Sequence, residues 1–168
     1  QVAAIGEDGT GRILAARLAG KHCKRDQHVG YYAEQGGVAS RAQDLVVGTS
    51  LYSLQQCGDR SLRAGRPQVL YGDFNLAART QDHSSASRES VLRFQSFLSS
   101  LRLVSCFSHL HGAISRADGA YTRKATHGQS SSLIDHILAS PERVVRCGIF
   151  RHCPFRSDHL LLVADLKK

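Results

Sequence analysis

The sequence is short of several things, and each shortage narrows the reading. No apolar run approaches the length of a helical membrane span, and no signal-peptide pattern opens the chain. The five cysteines (Cys23, Cys57, Cys106, Cys147 and Cys153) contain no C-x-x-C pair and are odd in number. That argues against a disulfide framework and against a structural zinc site. Cys147 and Cys153 flank His152, but their spacing fits no common zinc pattern. Free thiols suit a reducing compartment, so an intracellular protein, nuclear or cytoplasmic, is expected. There is no internal repeat, no low-complexity linker and no second composition regime. Residues 1–168 therefore read as a single domain, with 42% hydrophobic residues to build a core. Methionine is absent altogether and the first residue is Gln1, which reads as a chain beginning partway through a domain. Acidic residues are outnumbered, 14 against 22 basic, for a net charge of +8. Such a surface favours partners that carry phosphate, DNA among them, through counterion release.

What is present is a succession of apolar runs that alternate with polar loops. Strands are expected at residues 12–18, 27–33, 68–71, 133–139, 144–150 and 160–166, with a hairpin turn at Gly6–Gly11. Helices are expected at residues 39–57 and from the polar Ser84–Ser90 stretch onward. In the second, Val91, Phe94, Phe97, Leu98 and Leu101 recur at helical spacing. Residues 102–107 read as a short strand or turn, and 112–132 as a long polar loop. The class is a layered α/β domain with its chemistry at strand ends and in the loops beyond them.

Three motifs stand at such ends. They are Val69-Leu70-Tyr71-Gly72-Asp73-Phe74-Asn75, Ser132-Leu133-Ile134-Asp135-His136-Ile137-Leu138 and Arg156-Ser157-Asp158-His159-Leu160. Brought to one sheet edge, they would supply three carboxylates, an amide and an imidazole. Hydrolysis of an anionic phosphoester needs an oriented water, positive charge on the phosphate and stabilisation of the departing oxygen. Mg²⁺ takes oxygen ligands and keeps several waters, so one or two carboxylates are enough to hold it. Asp73 or Asp158 could serve the metal or the water, and the Asn75 amide the phosphate. His159 could donate a proton if a nearby carboxylate keeps it charged, and Asp135 is the natural candidate for that carboxylate. Asp135 lies within an apolar strand and must be paired; His159 and a structural arginine both remain open as its partner. His136 alternates with Asp135, which places it on the opposite strand face, where it is read as a surface histidine. Asp73 and Asn75 also have a purely local reading, as the two ends of an Asx-turn.

At these residues the chain resembles the endonuclease/exonuclease/phosphatase superfamily, the fold of deoxyribonuclease I and exonuclease III. The G-D-F-N, I-D-H-I and S-D-H elements fall in that superfamily's order. The I-D-H-I-L-A-S element is most similar to endonuclease domains of non-LTR retrotransposons. The resemblance implies a deoxyribonuclease I-like α/β sandwich, here N-terminally incomplete. It implies that Asp73 orients or deprotonates the attacking water, with Asn75 beside it on phosphate and water. It makes Asp158 the metal-side carboxylate, His159 the phosphate-binding imidazole and Asp135 the carboxylate that holds it. Thr122 would stand at the substrate or brace the site. Tyr32, in His28-Val29-Gly30-Tyr31-Tyr32-Ala33-Glu34-Gln35, matches an active-site tyrosine, although the Pro and Asn that follow it in the superfamily are Glu34 and Gln35 here. The implied cofactor is Mg²⁺, or Mn²⁺. The implied partner is DNA, contacted through its phosphates, with a reverse transcriptase outside this chain and the protein itself a monomer. Two departures accompany the match: the superfamily's metal-binding Glu and its first-strand Asn have no counterpart, and Ser105 stands where an Asp is usual. Three readings follow: a DNA-nicking endonuclease, a degenerate remnant that binds nucleic acid weakly, and a phosphatase or phospholipase of the same superfamily.

Overall fold

The computed structural model describes residues 2–7, 13–20, 23–32, 68–82, 88–114, 118–125, 130–151 and 157–167. Strands β1 (Val2–Glu7), β2 (Ile13–Gly20) and β3 (Cys23–Tyr32) form an antiparallel meander. β1 and β2 are the arms of the hairpin that the Gly6–Gly11 turn signal announces, with Gly6 and Glu7 still inside the first strand. β4 (Gln68–Asp73) then joins β3 in parallel. Helix α1 (Arg88–Ser100) follows, then the two-residue strand β5 (Val104–Ser105) and the short helix α2 (Cys106–Leu110). β6 (Asp135–Ala139) inserts between β4 and β5, antiparallel to both. The result is a six-stranded sheet in the order β1-β2-β3-β4-β6-β5. β7 (Val144–Phe150) and β8 (Leu161–Leu166) make a separate antiparallel pair. The helix expected at residues 39–57 lies outside the described residues. The short strand or turn expected at residues 102–107 is β5 with the first two residues of α2; that helix, five residues long, is too short for a periodicity signal.

Two cores show the layering. On one face of the sheet, Leu70 and Leu138 pack with Phe94, Phe97, Leu98 and Leu101 of the α1 side. These are the residues whose helical spacing the sequence displays. On the other face, Ala139 and Leu133 pack with Cys106, Phe107 and Cys147, against the inner side chains of β7 and β8. β6 is thus covered on both faces. Its sequence says so, since apolar residues occupy both parities of Leu133, Ile134, Ile137 and Leu138. His136 therefore cannot be the surface histidine that alternation suggested. It does face away from Asp135, but that face is the α1 core, and His136 is 1% exposed. Cys106 and Cys147 are free and buried, and burial pushes their thiols up to about 12 and about 11. Among the described residues no helix is long and apolar enough to cross a membrane.

Candidate active site

The register of β4 on β6 creates the site. Asp73, the last residue of β4, is the direct cross-strand partner of Asp135, the first residue of β6. Like charges directly opposite in an antiparallel pair repel, so ordinary sheets avoid this arrangement. The ladder continues beyond the pair, where the Phe74 amide donates to the Ile134 carbonyl at 3.0 Å. Just before Asp73, Gly72 has φ 146°, a backbone open to glycine and strained for other residues.

His159 answers the carboxylate pair. Its Nδ1 lies 2.9 Å and 3.1 Å from the two Asp135 oxygens, and its Nε2 lies 4.0 Å from Asp73. Among the described residues the partner of Asp135 is therefore His159. The hydrogen bond that His159 donates to Asp135 raises the His159 pKa, against the opposing effect of burial, and the Asp135, Asp73 and Asp158 charges raise it further. Asp73 behaves in the opposite sense to an ordinary carboxylate. Its pKa is raised from 3.8 to about 6, chiefly by burial; the Asn75 backbone N–H lowers it, the Asp135 charge raises it, and His159 and Arg123 lower it. Together these give a carboxylate that ionises near neutrality beside an imidazole whose charged form is favoured, which is an acid/base pair suited to work near neutral pH.

The surrounding loops are fixed by the backbone. Leu160 donates to the Thr122 carbonyl at 2.6 Å and Lys124 to the Asp158 carbonyl at 2.8 Å, zipping segment 121–125 to the segment just before β8 that carries His159. Thr122 is fully buried, and its Oγ1 accepts from the amides of Ile134 at 3.3 Å and Asp135 at 3.1 Å. Its hydroxyl thus braces the Asp135 backbone instead of facing solvent and a substrate. Asn75 has φ 49°, a left-handed conformation that asparagine tolerates, and its backbone N–H donates to Asp73 Oδ1 at 2.9 Å. The Asx-turn and the site coexist in the same residues. Tyr32 lies beside Asp73 in the parallel register of β3 on β4.

Asp158 stands apart from the cluster. Its side chain is 47% exposed and it pairs with Arg123, whose Nε is 3.7 Å from Oδ2. The ligand atoms of Asp73, Asp135 and His159 all lie within 4.8 Å of one another, a candidate cation group. Its chemistry fits a hard divalent ion through the carboxylate oxygens: two half-buried carboxylates face one imidazole, and burial already disfavours the charge on Asp73. Two participants escaped the sequence reading. Arg123 sits in the stretch read as a long polar loop. His136 was masked by strand alternation, although the apolar residues on both sides of β6 carried the signal that both faces are buried.

A sequence profile of the Endonuclease/Exonuclease/phosphatase family matches residues 50–159. The chain belongs to this family. Among curated proteins, none matches its sequence significantly. Several solved structures share its fold. A 3′ phosphatase from Neisseria, solved with a product DNA hairpin, superposes with TM-score 0.77 at 21% identity, over 99% of this chain and 70% of that one. An AP endonuclease from Leishmania major gives 0.77 at 16%, over 96% and 56%. An AP endonuclease from Archaeoglobus fulgidus gives 0.70 at 22%, over 99% and 70%. The similarity confirms the deoxyribonuclease I-like α/β architecture.

Proposed function

We propose that the chain is a Mg²⁺-dependent phosphodiester hydrolase that nicks DNA, of the kind found in non-LTR retrotransposons. The observation that carries the reading is the Asp73–Asp135 cross-strand pair closed by His159. A structural role does not call for two carboxylates in register; a site that must hold positive charge and an anionic phosphate does. In this reading Asp73, with its pKa near 6, accepts the proton of the attacking water. Asn75, held in its left-handed turn, offers its side-chain amide to a phosphate oxygen. His159, kept cationic by Asp135, donates to the phosphoryl group and neutralises charge as the transition state forms. A divalent cation would be held by carboxylate oxygens at the Asp73–Asp135 edge and would supply Lewis acidity toward the phosphate. The net charge of +8 and the DNA hairpin bound by the Neisseria neighbour support DNA as substrate.

The test is relaxation of supercoiled plasmid with Mg²⁺ and with chelator. Nicking that requires the cation and is lost in both Asp73→Ala and His159→Ala is expected. Removing one such group lowers the rate by about 10²–10³. Cleavage of a 3′-phosphate or an inositol phosphate, with no nicking, would move the chain to the phosphatase branch. Binding without any hydrolysis would make it a remnant.

A further inference from the structure

His136 is buried on the face of β6 opposite Asp135, yet both of its ring nitrogens are engaged. Nε2 lies 2.8 Å from the carbonyl oxygen of Leu76, and Nδ1 lies 3.0 Å from Ser105 Oγ. A carbonyl only accepts, so Nε2 carries the proton. Burial holds the ring in its neutral form, so Nδ1 accepts from the Ser105 hydroxyl. The ring also packs against Phe74 and Phe94, at centroid distances of 5.9 Å and 5.2 Å. Leu76 immediately follows Asn75, and Phe74 immediately precedes it. One side chain therefore holds the turn on both sides of the proposed phosphate-binding amide. It does so from the residue next to Asp135.

We propose that His136 is a positioning residue: bridging Ser105 Oγ to the Leu76 carbonyl, its imidazole sets Asn75 and the left-handed turn after β4 against the Asp73–Asp135–His159 cluster. The geometry explains why a polar ring is kept in an otherwise apolar core. The turn after β4 leaves the sheet at Phe74, so the ladder no longer fixes the Leu76 carbonyl. A buried carbonyl without a donor is costly. A leucine of similar bulk would fill the space and leave that carbonyl unpaired. A glutamine can both donate and accept, and so can restore the bridge.

The activity arm of the test rests on the hydrolase reading; a second arm does not. Plasmid-nicking kinetics are compared for wild type, His136→Leu, His136→Gln, Asn75→Ala and the His136→Leu/Asn75→Ala double variant. Hydrogen exchange at the Phe74 amide is followed in wild type, His136→Leu and His136→Gln. His136→Leu is expected to lose roughly 10- to 100-fold in kcat with KM within about twofold, because the loss is one of alignment. His136→Gln recovers most of it. In the Asn75→Ala background the leucine substitution costs little more, since its effect passes through Asn75. Phe74 exchange quickens relative to α1 amides in His136→Leu and returns toward wild type in His136→Gln. Losses that multiply independently in the double variant, or a glutamine as damaging as leucine, overturn the proposal. If the wild-type chain does not nick, the hydrolase reading falls by itself, and unchanged Phe74 exchange in His136→Leu overturns the positioning role. Should His136→Leu fail to fold, His136→Asn takes its place, because its amide is too short to span both partners.

Discussion

At the scale of single residues, the site sets stability against readiness to react. Asp73 has a folded pKa of about 6 against 3.8 for an ordinary aspartate. The folded state therefore holds that proton more tightly than the unfolded chain. The favourable contribution is complete below pH 3.8, fades as pH rises through about 6, and is gone above it. Carrying Asp73 ionised then costs up to ~3 kcal/mol. Asp73→Asn should raise the melting temperature at pH 8 by several degrees while removing activity, and thermal scans at pH 5 and pH 8 should show that gain shrinking at the lower pH. Adding Mg²⁺ should raise the melting temperature of wild type more than that of Asp73→Asn, as a cation bound only by the folded state would. For His159 the sign gives the other limb of a rate profile. Its pKa is raised above 6.5, so the charged imidazole persists past the point where Asp73 has ionised. Log kcat/KM against pH should climb with an apparent pKa near 6 and fall above 6.5, and the two values belong to the coupled pair. A profile flat from pH 5 to pH 8 would remove the acid/base assignment.

At the scale of elements, the sequence displayed what periodicity can display. The apolar run of β4, the Phe94/Phe97/Leu98/Leu101 stripe of α1 and the strands β6 to β8 were all legible, because burial on a face repeats along an element. The chemistry of Asp73, Asp135 and His159 was legible as residue types, and the superfamily resemblance supplied their grouping. What stayed hidden were contacts between elements. Nothing in Ala78-Arg79-Thr80-Gln81-Asp82 announces that Asp82 is fully buried, or that Arg79 pairs with it at 2.6 Å while also donating to the Gly112 and Ile114 carbonyls. That pair ties the turn after β4 to the loop after α2, and Asp82 in turn accepts from the Leu133 amide through its own carbonyl. Arg79→Ala should destabilise the fold by about 3–5 kcal/mol, because it leaves a buried carboxylate without its partner. Urea titration measures this; a loss below about 1 kcal/mol would show that water reaches Asp82. Thr122→Val, which keeps the shape and removes the acceptor for two amides, should cost about 1–3 kcal/mol by the same titration.

At the scale of the whole molecule, charge is the property that composition gives directly, and its consequence is salt dependence. Duplex DNA should bind weakly and without sequence preference, and its affinity should fall at least about tenfold between 50 and 200 mM salt. Fluorescence anisotropy with a labelled duplex measures this, and an affinity indifferent to salt would mean that the basic residues do not meet phosphate. The fold itself could be read as layered α/β, but its strand order could not, because insertion of β6 between β4 and β5 is a long-range choice that no local pattern records.

That insertion also bears on how the protein reaches its native state. The two acids meet only when β6 docks beside β4, and His159 arrives from still later in the chain, so the cluster depends on contacts of long sequence range. Such contacts close late and slowly. Until His159 is in place, β6 docking sets two carboxylates face to face without a counter-charge. The barrier to refolding should therefore be lower in mild acid, where Asp73 keeps its proton, and the folding arm of a chevron should rise in Asp73→Asn at neutral pH.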